Sequence, residues 1–463
     1  MEFPSRKILQ GLSVLEGILL CLALAAFWFP SNYPAQTLAE PVDRSQFVWI
    51  LLLIAVVKII QWLFMDLPKV LPEQNAFPKN IYQKLSHWFS EINTPLLPWL
   101  IGFMVLAAIN TRISPYPVRG IFMLVRPVTG LAWVVFLTER YNKKNGIKKS
   151  LLAMLVFSVF VGLIALMSTE WIEKSEIFMG IINWIPRPSL QPFVTSFNSN
   201  EIGGALTWLV PFSAGLILYP VRQHGKLFKF LSTTAFVVPF SALFLGQSRF
   251  AIIGVLTGLY VIVFLLMPKS KMKYLSFLTL TIITVFQFAL IFSRIDNGSQ
   301  TPSRDKASFV NRFSIWESAL KIVKDYPLTG VGINNFRIPP VREQYPVSGF
   351  DYNLSPYFKH TRILPHAHNE ILQTGADMGI LGMVIFIGWH IAAARMLWLC
   401  WCNGRQDGRV IAVSLAMGLG AHVIFGMGDA IPVWDRTNFI HWLLLGLVSA
   451  QYKFTSKDKP LVA

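Results

Sequence analysis

Between Pro365 and Gly382 the chain reads PHAHNEILQTGADMGILG. Two imidazoles, an amide and a carboxylate (His366, His368, Asn369 and Glu370) crowd five positions, and an apolar, glycine-spaced helix follows at once. A histidine exchanges a proton near neutral pH, so this is where a general base would be sought. Other reactive side chains stand at the ends of apolar stretches: Arg187 in WIPRPS, Asn200 in FNSNEIGG, Arg249 in GQSRFA, Arg312 opening an amphipathic run, and Asp429 and Asp435 in GDAIPVWD. Guanidinium forks match phosphate oxygens bidentately and stay charged. Two or three arginines with a histidine at a membrane boundary suit transfer of a group off a lipid phosphate. Each residue comes from a different segment, so their meeting in space is an expectation. For any single arginine the plainer alternative is interfacial anchoring, or an ion pair with Glu201, Asp305 or Glu317.

The elements that must position them are hydrophobic. The 463 residues are 54% hydrophobic and 14% charged, against about 25% charged in a soluble domain. A span needs roughly 20 mostly apolar residues. Such runs predict an all-α polytopic integral membrane protein of about 12 transmembrane helices, near 10–29, 46–66, 93–110, 118–138, 150–167, 201–220, 230–246, 250–267, 274–293, 375–399, 410–427 and 438–452. The first run is too long for the core of a cleaved signal and reads as a retained span. The net charge of +17 sits in short clusters between the runs (RYNKKNGIKK, RQHGKLFK, PKSKMK, NGRQDGR and KFTSKDK). That is the pattern of cytoplasmic loops, not of a nucleic-acid surface, and it places both termini inside.

Two large pieces then fall outside, 168–200 and a partly helical loop at 294–374 between the ninth and tenth spans. In the loop, Phe309, Phe313, Trp316, Leu320 and Val323 share one predicted helical face, and Arg312, Glu317, Lys321 and Lys324 take the other. The apolar face would pack on the loop's own core or lie at the membrane surface over a lipid-linked ligand. Within the spans, Lys58 is expected to snorkel toward the cytoplasm and Arg126 to have a buried partner. Cys400 and Cys402 read as small membrane-facing hydrophobes, and no disulfide framework is implied. No P-loop, Cys-x-x-Cys pair, His-Glu-x-x-His, Asp-x-Asp pair or internal repeat is visible. A nucleotide-activated donor is cytoplasmic, so a site outside calls for a donor already flipped, which a polyprenyl diphosphate glycan satisfies.

The segments PRPSLQPFVTSFNSNEIGGALTWLVPF, GQSRFAIIGVLTGL, NRFSIWESALKIVKDYPLTGVGINNF, PHAHNEILQTGADMGILGMVIF and GMGDAIPVWDRTNFIHWLLLGLV resemble, in order, those of the O-antigen ligase and O-antigen polymerase superfamily of bacterial envelope glycan synthesis. The resemblance covers about Pro186 to Val448. It divides the chain into 1–185, N-terminal transmembrane helices, and 186–463, a catalytic membrane region. It implies a metal-independent, cofactor-free, inverting transfer from a lipid-diphosphate-linked glycan, on the outer face of a bacterial inner membrane. His368 would deprotonate the acceptor hydroxyl. Arg249, Arg312 and Arg187 would bind the diphosphate, and His366, Asn369, Asn200 and Asp429 would support them. FNSNE departs from the family's usual Asn-Pro-Asn.

The acceptor expected is lipid A-core, as in a ligase. The alternatives are a polymerase, which uses a second lipid-linked unit, and a protein O-oligosaccharyltransferase. A transporter of twelve spans usually shows internal repeats and polar groups near the midplane, and neither is seen here. The expected partners are donor, glycan or lipid acceptor and membrane lipids, with no nucleic acid; oligomeric state is not legible.

Overall fold

The computed structural model describes residues 5–28, 45–63, 77–114, 117–140, 146–170, 180, 183–185, 197–218, 221–295, 304–347, 364 and 366–458. Among these the helices are α1 (Ser5–Trp28), α2 (Ser45–Leu63), α3 (Phe77–Ile92), α4 (Leu97–Ile113), α5 (Pro117–Arg140), α6 (Gly146–Ser168), α7 (Ser199–Ile217), α8 (Val221–Gly246), α9 (Arg249–Leu266), α10 (Lys271–Ile295), α11 (Arg304–Asp325), α12 (Pro339–Gln344), α13 (Glu370–Asn403), α14 (Gln406–Gly426) and α15 (Phe439–Asp458). A two-residue parallel bridge, Thr169–Glu170 with Phe197–Asn198, ties the end of α6 to the start of α7. Each predicted apolar run overlaps one of these helices. Helices satisfy their own backbone polar groups, which hydrocarbon demands. Five are long and apolar enough to cross a membrane, or six if the pair Ser86–Ile92 and Leu97–Ile113, bent by 101°, is one span. The chain is a multi-pass helical membrane protein.

The core gathers around α14, which packs on α7 and α9, while α5 packs on α15 and α8 on both α6 and α7. Small residues set the approach: a Cβ on Gly254 would stand 2.2 Å from the Ala421 carbonyl oxygen, and one on Gly418 would stand 2.5 Å from that of Trp208. Backbones touch there, as small residues permit in membrane bundles. Trp208, Phe212, Trp389, Phe425 and Trp442 are fully buried around these contacts.

Helix α13 is broken at Gly379, whose φ of +70° a side chain would resist. The turn after α11 fills the break. Val331 and Gly332 donate backbone N–H groups to the Ala376 and Asp377 carbonyls (2.8 and 3.0 Å), and Ile380 donates to that of Pro327 (2.7 Å). The DYPLTGVG segment thus completes hydrogen bonds that the helix forgoes. The break falls inside the predicted span 375–399. Gly375 and Gly379 let other elements approach, since a Cβ would stand 3.0 Å from Val323 of α11 and 2.6 Å from the Pro327 carbonyl oxygen, whereas a Cβ on Gly382 would meet Met378 of α13 itself at 2.5 Å. The piece beyond Gly379 is about 35 Å long at 1.5 Å per residue, enough for a hydrocarbon core of about 30 Å.

Three other expectations are corrected. Helix α11 does not pack its predicted apolar face on the loop's own core: Arg312, Ile315, Ala319 and Ile322 turn inward, while Phe313 and Leu320 are 54% and 53% exposed, as the membrane-surface alternative requires. Ile315, Ala319 and Ile322 pack with Phe336, Val341 and Leu364, and Arg312 is drawn in by the carboxylate described below. The side chain of Phe309 lies outside the described residues. Lys58 does not snorkel; it pairs with Glu16 of α1 (2.9 Å) and with Glu139 of α5. Cys400 is buried and Cys402 exposed, because positions two apart lie on opposite sides of a helix. Arg126 does have a partner, the Trp434 carbonyl at 2.7 Å.

Candidate functional site

The sequence clusters its imidazoles just before α13, and the structure shows what holds them. Asn369 is the N-cap: its side chain accepts from the Leu372 N–H at 3.0 Å. The same amide donates to the Met427 carbonyl at 3.1 Å, reaching the loop between α14 and α15. His368 sits at φ +49°, a left-handed conformation uncommon for a residue with a side chain. Its neighbours hold it there. Its N–H donates to His366 Nδ1 at 3.2 Å, and its carbonyl accepts from Trp316 Nε1 of α11 at 3.2 Å. Local strain of this kind persists where the surroundings over-determine it, commonly at functional sites.

The side chains converge on one carboxylate. His368 Nδ1 lies 2.9 Å from Asp429 Oδ1, His366 Nε2 lies 3.8 Å from the same oxygen, and an Arg312 Nη2 lies 3.5 Å from Oδ2. Oδ1 also accepts from the Ala430 N–H at 3.0 Å. A carboxylate oxygen only accepts, so His368 carries its proton on Nδ1 and leaves Nε2 with a lone pair. No described residue hydrogen-bonds that Nε2, and the side chain keeps 16% of its surface exposed. A base oriented by a buried carboxylate has the logic of the hydrolase triads. Burial alone would favour the neutral acid at Asp429, but His368, His366 and Arg312 outweigh it and hold this carboxyl well below the usual range.

The Arg312 guanidinium also lies 5.1 Å above the Phe250 ring, a cation–π contact. Phe250 follows Arg249 and packs so closely on Gly428 that a Cβ there would fall 2.2 Å from its ring. Arg249 therefore opens α9 at the same end of the bundle as Arg312, His368 and Asp429. Asn200 lies in the first turn of α7, where its N–H is capped by Asn198 at 2.8 Å. Its neighbour Glu201 grips Arg436 through two bonds of 2.6 and 3.0 Å, so Glu201 does not serve the arginines considered from sequence. Asp435 caps its own turn at Thr437. Arg187 and the side chain of Asp305 lie outside the described residues.

Sequence reasoning missed several supports. Glu370 Oε1 accepts from His422 Nε2 at 2.7 Å and from the Ile431 N–H at 3.2 Å. With Asn369 on Met427, it holds the loop on both sides of Asp429. His422 stacks on Trp208 with ring centres 3.6 Å apart. Glu370 stood in the opening motif, but nothing near His422 in sequence marked it. Arg337, buried at 3%, adds positive potential at His366.

His366, His368 and Asp429 offer three ligand atoms within 4.8 Å of one another, a spacing that could hold a metal. The electrostatics oppose it. Arg312 shares the carboxylate, and His366 spends Nδ1 as acceptor, which leaves a proton on the Nε2 a metal would need. Burial, then His368, Arg312 and Arg337, lower the His366 pKa to about 3, against the pull of Asp429. In an unfolded chain this imidazole titrates near 6.5. As pH falls the unfolded state binds the proton first, so stability from neutral His366 is whole above about pH 6.5 and is lost toward pH 3. Asp429 acts in the same direction, below its ordinary carboxyl range. The thermal midpoint of the detergent-solubilised protein should therefore drop between pH 7 and 4.5, and His366→Gln should flatten that slope. An unchanged slope would mean that other groups set it.

Residues 234–387 match the family model described as O-antigen ligase. No curated protein matches the chain. The matched segment contains Arg249, Arg312, His366, His368 and Asn369, and ends before Asp429.

Proposed function

We propose, from the match of residues 234–387 to the O-antigen ligase family model, that the chain moves a glycan from a polyprenyl diphosphate donor to an acceptor hydroxyl. The observation that carries this reading is the dyad of His368 and Asp429 with Arg312 on the same carboxylate. His368 Nε2 takes the proton of the acceptor hydroxyl. The acceptor oxygen forms a bond to the anomeric carbon, and the bond from that carbon to the diphosphate oxygen breaks. The electron pair leaves with the diphosphate, which Arg312 and Arg249 stabilise. Attack opposite the leaving group inverts the anomeric centre. Asp429 keeps the imidazole in the required tautomer and balances the imidazolium that forms. Arg187 belongs to the same donor group by its motif.

In this reading the bundle has twelve spans, both termini are cytoplasmic and the site faces outward across a bacterial inner membrane. The basic clusters between the apolar runs support that orientation. The acceptor is lipid A-core, in a ligase; a polymerase would use a second lipid-linked unit, and a protein acceptor is the third case. Positive charge around Asp429 supports a reaction without a metal.

The test is purified protein incubated with a lipid-diphosphate glycan and each acceptor, with and without chelator. Transfer to lipid A-core, at an unchanged rate in chelator, is expected. A rate restored only by a divalent ion would overturn the metal-free mechanism. Product only on a second lipid-linked unit would make the protein a polymerase. No product with any acceptor, together with flux of a labelled substrate in proteoliposomes, would make it a transporter.

A further inference from the structure

Asp377 takes no part in the chemistry described above, yet one of its oxygens joins both halves of the dyad. It lies in the short piece of α13 before the break at Gly379 and is buried. Its Oδ2 accepts from Gln373 Nε2 at 2.9 Å and from Trp434 Nε1 at 2.9 Å. Its Oδ1 is buried and has no hydrogen-bond partner among the described residues. Burying a carboxyl group is costly, and an unpaired oxygen adds to that cost. Departures of this kind from a well-satisfied interior are expected at functional sites.

The two donors lead to the two loops that carry the dyad. Gln373 stands one turn before Asp377 on the same face of α13, and its Oε1 accepts from the Ala367 N–H at 2.7 Å. Ala367 is the residue between His366 and His368. Trp434 lies beyond Asp429 in the loop between α14 and α15, and its carbonyl accepts from Arg126 of α5 at 2.7 Å. Gln373, Trp434 and Ala367 are all buried. A chain of hydrogen bonds thus runs from Arg126 through Trp434, Asp377 and Gln373 to Ala367. The Asn369 and Glu370 side chains hold Met427 and Ile431 of the same loop, and Asp377 holds its far side. The residue type matters too. An amide could turn over and present its own N–H groups to those of Gln373 and Trp434. A carboxylate oxygen only accepts, so Gln373 has one arrangement, nitrogen toward Asp377 and oxygen toward Ala367.

We propose that Asp377 is a positioning residue, holding the histidine loop and the Asp429 loop in the register that sets His368 against Asp429. Its effect on rate rests on the glycan-transfer reading; its effect on the two imidazoles does not. Without Oδ2, Gln373 and Trp434 lose their shared acceptor, the Gln373 amide is free to turn, and the loop around Ala367 loosens from the loop of Asp429.

The test is Asp377→Leu in the purified full chain. It should lower kcat about 10²-fold with the donor KM unchanged, the usual cost of a shift near 1 Å at a reacting group. Asp377→Asn keeps an oxygen for both N–H groups and should regain about tenfold of that loss. In the His368→Asn background Asp377→Leu should cost almost nothing further, because the imidazole it positions is gone. A purely structural role would lower the rate equally in both backgrounds. Acylation by diethyl pyrocarbonate, read at each histidine by mass spectrometry, needs no substrate. In the parent it should fall on His368, whose Nε2 keeps a lone pair, and spare buried His366; in Asp377→Leu it should reach both. If Asp377→Leu does not fold, Trp434→Phe removes one donor and keeps an aromatic ring, and should show the same pattern on a smaller scale. An unchanged kcat, or equal losses in both backgrounds, would overturn the role in transfer, and unchanged acylation would overturn the hold on the loops. Altered acylation in a protein whose parent transfers nothing to any acceptor would overturn the function and leave the positioning role standing.

Discussion

Replacing His368 with alanine is expected to lower the transfer rate by about 10²–10⁴-fold, the usual contribution of a positioned general base. The donor KM should barely move, because the imidazole meets the acceptor proton and not the diphosphate. The expectation follows from geometry. Asp429 holds Nδ1 at 2.9 Å, so the lone pair on Nε2 points away from that carboxylate. The variant needs a control, since His368 occupies a left-handed conformation that alanine resists. Asparagine tolerates that conformation far better, and its amide can still donate to Asp429. His368→Asn should therefore insert and melt like the parent while losing the same activity. Asp429→Asn should cost nearly as much, because an amide can present a donor to Nδ1 and impose the wrong tautomer. If His368→Asn kept full turnover in purified protein, the base would have to be another group.

Much of this arrangement was legible in the sequence. Long apolar runs can satisfy their backbone only as helices, so the helices fall where the runs do. The polar residues stranded at the ends of those runs included His368, Arg312 and Asp429, because a charged group beside hydrocarbon is retained only for a reason. What pairs with what was not legible, since each partner lies in a separate segment. Asp429 was one of two acids in GDAIPVWD, and only the fold shows that it meets His368 while Asp435 caps a turn. The rotation of α11 escaped for a related reason. Periodicity counts Arg312 as a solvent residue, but Phe250 and Asp429 together make burial of its guanidinium favourable. Lys58 misled in the same way, because Glu16 and Glu139 are distant in sequence. The break at Gly379 was hidden because glycine in an apolar helix reads as a packing contact. Its true role needs the inserted turn at Val331 and Gly332. His422 carried no local signal, and its part in clamping the Asp429 loop appears only through Glu370.

Replacing Arg312 with alanine should cost a further large factor, by a different route. Loss of one donor that stabilises a developing charge costs about 2.7–4 kcal/mol, or 10²–10³ in rate. Arg312 is held ready for that task rather than free to wander: Phe250 lies under one face of its guanidinium at 5.1 Å, and Asp429 stands 3.5 Å from one of its nitrogens. Side-chain freedom is therefore already reduced before the donor arrives, and the fork can meet two phosphate oxygens at once. Lysine supplies the charge without the fork, so Arg312→Lys should recover only part of the loss. A second consequence separates this residue from a merely structural cation. Arg312 helps to keep Asp429 ionised and His366 neutral. Its removal should weaken both effects, raising the Asp429 and His366 pKa values together. The pH profile of the thermal midpoint should then flatten on its acid side in Arg312→Ala, because both folded-state values move toward their unfolded ones, while the transfer rate stays low. A cation that only anchored α11 would lower stability, leave the profile in place and be replaced fully by lysine.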